Sequence, residues 1–515
     1  MSTTTLPTSQ VARLTTRAVA SGPAAPVIAP FTGEPLADLP QSTVEDVHEA
    51  YKRAAEVQQE WAATPVRERC AMLLRFHDLL LERQDEVLDQ IQLETGKSRW
   101  HAFEEVISVV NNARYIARRA PRLLAPRRRN GVMPVLSAAR ELRRPKGVVG
   151  LITPWNYPFE LGLADGLAAL VAGNAIVHKP DQQGALSVLL GIELLRAAGM
   201  PDGLWQVVLG DGPVIGGAVT DGADYVCFTG STATGRIVGQ RAGERLVDCS
   251  LELGGKNAML VLDDAPVERA AECAVRACFS SAGQLCVSIE RIYVDRRVHD
   301  AFVDAFVRRV KEMKVGPGTD WDVDMGSLIS RRQLDGVQAH VEDAVAKGAR
   351  VLAGGRHRPD LGPYFFEPTV LADVTEEMAC FGAETFGPVV AIHPVDGVEK
   401  AIVAANDTPY GLNASVWGRN KRRAALVGAR LRAGSVNVNE GYVASWGSVD
   451  IPQGGIGDSG VGRRHGAEGI LRFTEAQAVV TQHLLDLGRP PGFSYRGWAK
   501  VYRLLMRTIR LIHRA

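Results

Sequence analysis

Cys286 closes the run Gly283-Gln284-Leu285-Cys286, just after an apolar helical stretch that ends near Ser280. The glycine turns the chain there and leaves the thiol on a loop. A loop cysteine can serve as a nucleophile through its thiolate; the same residue in a core is an inert small hydrophobe. Glu252 stands in Leu251-Glu252-Leu253-Gly254-Gly255-Lys256, between two leucines at a strand end. Apolar neighbours raise a carboxyl pKa, which suits a general base, whereas a solvated loop charge is the plainer role. Asn156 lies in Thr153-Pro154-Trp155-Asn156-Tyr157-Pro158, a loop stiffened by two prolines. Its amide can donate to a developing oxyanion, or close an Asx turn ahead of Pro158. Lys179-Pro180 and Phe228-Thr229-Gly230-Ser231 end two further apolar runs. A Gly-Ser turn at a helix start offers backbone N–H groups to a phosphate. The turn is not G-x-G-x-x-G, so the usual dinucleotide fingerprint is absent.

These residues need a scaffold, and the patterning supplies one. Residues 147–152, 174–179, 204–209 and 225–228 are apolar runs that suit strands buried on both faces. Helical stretches at 161–171, 185–198 and 232–240 alternate with them, which predicts a parallel, doubly wound α/β sheet. Such sheets bind ligands beyond the carboxyl ends of their strands, where Asn156, Lys179, Gly230 and Glu252 fall. A second α/β region begins near Gly254, with strands at 258–262 and 291–294 and a long helix at 299–314. Residues 42–119 read as helical, and 132–142 as an extended arm after an Arg-rich turn.

Composition bounds the rest. The chain has 515 residues, enough for two to four domains, with 59 basic against 58 acidic residues. That balance excludes a global nucleic-acid surface. Seven cysteines without a C-x-x-C pair argue against a disulfide framework or a zinc site, and for a reducing, cytoplasmic setting. No apolar run is long enough to span a bilayer. Residues 1–33 carry Arg13 and Arg17 and no acidic residue, and read as a disordered leader rather than a transit peptide. In residues 494–515, Trp498, Val501, Tyr502, Leu505, Ile509 and Ile512 share one helical face and Lys500, Arg503, Arg507 and Arg510 occupy others. A basic amphipathic helix of this kind can lie on an anionic membrane or, the favoured reading, pack on its own oligomer.

Taken in order, these motifs, with Glu384-Thr385-Phe386-Gly387-Pro388, resemble the aldehyde dehydrogenase superfamily over residues 31–475. Within it, 279–291, 324–330 and 459–466 look like the actinobacterial second-type succinate-semialdehyde dehydrogenases. The resemblance implies a Rossmann-type cofactor domain (31–125 and 147–253), an α/β catalytic domain (254–449) and a β-arm oligomerisation element (126–146 and 470–485), with the helix at 494–515 beyond. It implies a homodimer or homotetramer. It makes Cys286 the nucleophile, Asn156 and the Cys286 N–H the oxyanion hole, and Glu252 the base for the hydrolytic water. Trp155, Asn156, Lys179, Asp181, Gln182, Gly230, Ser231, Leu253, Glu384 and Phe386 would bind the cofactor. No metal is called for.

The same resemblance leaves two choices to the pocket. Many NAD-preferring relatives carry a glutamate where Gln182 stands; the neutral amide admits a 2′-phosphate, so NADP is expected and NAD stays open. Some semialdehyde dehydrogenases place an arginine after the Asn156 loop, but residues 159–166 hold only Glu160 and Asp165 as charged groups. Ser288, Tyr442, Ser445 and Trp446 are the expected pocket residues, and they suit an apolar or aromatic aldehyde as well as succinate semialdehyde. A long-chain aldehyde would go with membrane association. A catalytically silent scaffold and a CoA-acylating enzyme are disfavoured by the intact Cys286, Asn156, Glu384 and Glu252.

Overall fold

The computed structural model describes residues 6–131, 137–483 and 488–512, with only the backbone of Ile509, Leu511 and Ile512. Parts of three expected segments, 132–136 of the arm, 484–485 and 513–515, therefore lie outside the described residues. The chain forms two compact units: Met1–Leu123 with Pro145–Thr474, and Leu124–Arg144 with Glu475–Ala515.

The first unit holds two large sheets. In the six-stranded sheet, Val148–Thr153 lies between Ala175–Pro180 and Tyr225–Thr229, with Trp205–Val207 beyond the former and Cys249–Glu252 beyond the latter. These five strands run parallel, so Thr153, Lys179, Thr229 and Glu252 reach one common edge. The chain leaves Val148–Thr153 first toward one side and later toward the other, which opens a crevice at that edge. The strands are buried on both faces, as their unbroken apolar sequences require. The sixth strand, Gly460–Val461, comes from far down the chain and pairs antiparallel with Leu251 and Glu252. Sequence reading had no signal for it, because two residues carry no periodicity.

The seven-stranded sheet runs in the order Arg350–Ala353, Thr369–Ala372, Val389–Val395, Ile289–Asp295, Asn257–Val261, Asn413–Trp417 and Ser435–Val438. All its neighbours are parallel except the first pair. Helices Val267–Phe279 and His299–Glu312 pack on it, with Phe302 stacked on Phe306 at 5.7 Å and Phe279 on Phe306 at 6.1 Å.

The leader expected to be disordered is structured where it is described. Thr8–Thr15 is a helix that buries Leu14, and Gly22–Ile28 pairs antiparallel with Pro35–Gln41. Its Ala- and Pro-rich composition gave no periodic signal; its order comes from a partner strand later in the chain.

In the second unit, Arg127–Arg129, Ser137–Pro145 and Thr474–Gln482 form a three-stranded sheet, where Arg127–Arg129 was expected to be a turn. Arg129 pairs with Glu141 across it at 2.5 Å. All residues of Thr474–Gln482 after the first are exposed. Helix Tyr495–Ile512 buries none of its described side chains.

Candidate active site

The cysteine loop is built under strain. After helix Val267–Phe279, three successive residues take left-handed φ values: Ser281 (51°), Ala282 (56°) and Gly283 (71°). Ser281 and Ala282 are costly there, at about 1–3 kcal/mol each, and such strain persists only where surroundings over-determine it. Those surroundings are specific. A Cβ on Gly283 would lie 2.1 Å from the Gly387 carbonyl oxygen, so only glycine fits. Gln284, fully buried, accepts from the Ile329 N–H (2.9 Å) and donates to the Ser281 carbonyl (2.9 Å). Asn257 Nδ2 donates to the Cys286 carbonyl at 2.8 Å.

Asn156 reaches the same loop from the end of strand Val148–Thr153. Its Nδ2 donates to the Gln284 carbonyl at 2.9 Å, which fixes the amide two residues from the thiol-bearing position. The side chain spans two loops rather than closing a local turn. Its own carbonyl accepts from Lys97 Nζ at 2.6 Å. Lys97 is buried, stacked 3.8 Å over the Tyr157 ring, and paired with buried Glu105 at 2.5 Å. The other Glu105 oxygen accepts from the N–H groups of Phe159 (2.9 Å) and Glu160 (3.0 Å), satisfying the first turn of helix Pro158–Ala172. This Lys97–Glu105 device was not found in the sequence, where both residues sit in an unremarked helical stretch.

Glu252 ends its strand with the side chain buried and one carboxylate oxygen without a partner among the described residues. Burial raises its pKa to about 7; Asp165 adds to the rise and Arg464 and Arg472 oppose it. The Cys286 thiol is pushed up to about 12, chiefly by burial, with Glu384 and Glu252 adding and Arg464 opposing. Two cavities meet here. Glu252 and Cys286 line both.

The larger of the two, about 370 Å³, opens at the carboxyl edge of the six-stranded sheet. It is lined by Trp155, Asn156, Gly230, Ser231, Leu253, Glu384 and Phe386. Ser231 caps helix Thr232–Glu244, so that helix N-terminus faces this region. Glu384 accepts from the Gly255 N–H at 2.8 Å, and a Cβ on Gly254 would lie 2.3 Å from its other oxygen. Phe386 is held at φ 50° by its N–H bond to Glu290 (3.0 Å) and meets Trp155 edge-on at 5.6 Å.

Three residues expected beside these are not in that lining. Lys179 is buried at its strand end, with Nζ 3.4 Å from the Pro180 carbonyl. Asp181 accepts from the Gln183 N–H at 3.0 Å. Gln182 donates to the carbonyls of Ala25 (3.2 Å) and Pro26 (3.4 Å), so its amide holds the early strand.

The smaller cavity, about 60 Å³, lies on the other side of Cys286. Ser445 and Trp446 line it, as expected. Tyr442 and Ser288 do not. Tyr442 is buried behind, bonded to Glu104 (3.0 Å) and Ser280 (2.8 Å), and Ser288 donates to the Cys278 carbonyl at 3.0 Å. Arg291 is structural, spending its guanidinium on the carbonyls of Lys256 and Ala405. A third cavity, about 720 Å³ beside Trp100, Arg276 and Trp321, contains none of the residues singled out for chemistry.

Cys286 and Glu252 thus line both cavities, and Asn156 lines the larger. The aldehyde dehydrogenase family profile matches residues 18–479. A Mycobacterium ulcerans protein named "Putative succinate-semialdehyde dehydrogenase [NADP(+)] 2" is 50% identical over 479 residues, 93% of this chain and 92% of that one. Among solved structures, betaine aldehyde dehydrogenase of Staphylococcus aureus in complex with NAD+ superposes with a TM-score of 0.87 at 29% identity, covering 93% and 97% of the two chains. An E. coli NADP-dependent enzyme gives 0.86 at 32%, covering 90% and 95%. With such similarity along nearly its whole length, the chain belongs to the aldehyde dehydrogenase family.

Proposed function

We propose that this enzyme oxidises succinate semialdehyde to the carboxylate with NADP as hydride acceptor. The observation that carries the chemistry is the shared lining of two cavities by Cys286 and Glu252, with Asn156 pinned beside them. The substrate and cofactor rest on the relatives' names and on a small acyl pocket, about 60 Å³, which suits a short aldehyde over a long one.

The thiol needs a base, being held near 12, and Glu252, at about 7, lines both cavities with it and is read as taking its proton. Attack of the thiolate on the aldehyde carbon gives a thiohemiacetal on Cys286. The Asn156 amide and the Cys286 N–H stabilise its oxyanion. NADP bound in the larger cavity would supply the hydride acceptor. Trp155, Leu253, Gly230, Ser231, Glu384 and Phe386 would hold it, with Lys179 at the neighbouring strand end; Asp181 is spent on the Gln183 N–H and Gln182 on the carbonyls of Ala25 and Pro26. The cradle fits such a group: a helix N-terminus for phosphate, and a glycine backed onto Glu384. Once Glu252 has passed the thiol proton to solvent, its carboxylate deprotonates the water that hydrolyses the Cys286 thioester.

The presence of two large sheets supports a division into a cofactor domain, 31–125 and 147–253, and a catalytic domain, 254–449. The exposed strand Thr474–Gln482 leaves an edge that a second copy would cover, which favours a homodimer or homotetramer. All seven cysteines are free, which favours the cytoplasm. Helix Tyr495–Ile512 is read first as packing on the oligomer, with an anionic membrane surface as the alternative. Arg496, Lys500, Arg503, Arg507 and Arg510 recur three and four residues apart on one face, with no acidic residue in the helix, which suits an anionic membrane surface.

The test is reduced-cofactor absorbance with NADP or NAD against succinate semialdehyde, hexanal and benzaldehyde, with Cys286→Ala alongside. Succinate semialdehyde with NADP is expected to give the highest kcat/KM, and the variant none. A higher value for hexanal or benzaldehyde overturns the substrate; an active Cys286→Ala overturns the mechanism.

A further inference from the structure

Residues 159–166 lack an arginine to grip a distal carboxylate, yet the fold brings one in from elsewhere. Strand Gly460–Val461 pairs beside Glu252, and the chain then carries Arg464 back to the acyl cavity, its N–H bonded to the Gln453 carbonyl at 2.7 Å. Arg464 is nine-tenths buried and lines the small cavity together with Cys286, Glu252 and Gln453.

Its charge is incompletely matched. Nη2 donates to Asp165 (2.8 Å) and Thr229 (3.0 Å), but Nε has no partner among the described residues. Asp165 is shared with a second guanidinium, that of Arg472. Two cations thus converge on one carboxylate, so Asp165 alone does not match both. Glu160 and Glu252 also line the cavity, and each has an oxygen without a partner among the described residues. Burial raises both to about 7, so near neutral pH each carries only part of a counter-charge to Arg464. A buried guanidinium N–H without an acceptor is costly, and an incoming carboxylate oxygen relieves that cost.

We propose that Arg464 reads the carboxylate at the far end of a short ω-carboxy aldehyde, making the small cavity an anion subsite. This rests on the aldehyde-oxidising reading above and deepens it. Arg464 is a specificity residue, acting on the end of the substrate opposite the reacting carbon.

The experiment compares kcat/KM for succinate semialdehyde with that for its neutral methyl ester and for butanal, in wild type, Arg464→Gln and Arg464→Lys. Wild type is expected to prefer the acid. Arg464→Gln should lose about 10- to 150-fold on the acid, the worth of one hydrogen bond to a charged group, and little on the neutral aldehydes. Arg464→Lys should recover part of the loss. An equal loss on acid and neutral substrates overturns the proposal, because Arg464 would then act only through Glu252 or the fold. Should Arg464→Gln fail to fold, the wild-type ratio of acid to methyl ester decides alone: no preference for the acid overturns it. Wild type that oxidises none of the three with either cofactor sinks the underlying reading instead.

Discussion

Replacing Glu252 by glutamine separates the two halves of the reaction. The change is isosteric and removes only the ability to ionise at a carboxyl whose one oxygen already lacks a partner among the described residues. The wild-type group titrates at about 7 because burial disfavours its charge. Its ionised fraction is about one-tenth at pH 6 and about nine-tenths at pH 8, so hydrolysis should rise nearly tenfold across that window. The sign follows from a raised carboxyl pKa: the base form is lost as pH falls through 7. In Glu252→Gln the thioester should form and then persist. Stopped-flow absorbance should record a burst of reduced cofactor near one equivalent per site at elevated pH, where solvent can take the thiol proton. Steady-state turnover should lie about 10²–10⁴-fold below wild type, the usual loss for a general base, and should lose its rise near pH 7. Asn156→Ala carries the opposite signature. It removes an oxyanion donor, so the burst itself should slow by about 10²–10³-fold. A Glu252→Gln enzyme whose steady state keeps wild-type rate and pH profile refutes the assignment of the base.

Two further outcomes test the scaffold and the terminal helix. Lys97→Met leaves Glu105 buried without its cation, and should cost about 3–5 kcal/mol in denaturant unfolding; a loss under about 1 kcal/mol would show that the pair does not support the Asn156 loop. On the membrane alternative, the full-length protein should co-sediment with vesicles containing phosphatidylglycerol, and each charge removed among Lys500, Arg503 and Arg507 should weaken binding about fivefold. Equal binding to purely zwitterionic vesicles, or a changed oligomer on removing those charges, would assign the helix to packing instead.

Local patterning determined the sheet, because continuous apolar runs can be satisfied only between two covering layers. The roles expected of Cys286, Glu252 and Asn156 came from the order of their motifs along the chain, through a family resemblance, since each residue alone also suited a plain structural role. Both signals run along the chain, so a linear reading reaches them. It did not reach Lys97, Glu105 or Arg464, nor the order of residues 6–30. Each gains its role from a partner that no local pattern announces: Lys97 from the Asn156 carbonyl, Arg464 from Asp165, and the early strand from Pro35–Gln41 and Gln182. Tertiary structure also moved Tyr442 and Ser288 out of the pocket, because the direction of a side chain depends on what packs behind it. Whether a charge is paired, shared or left over is a property of three-dimensional neighbours. The sequence therefore decided what reaction the cleft performs, and the fold decided which cation waits at the far end of the substrate.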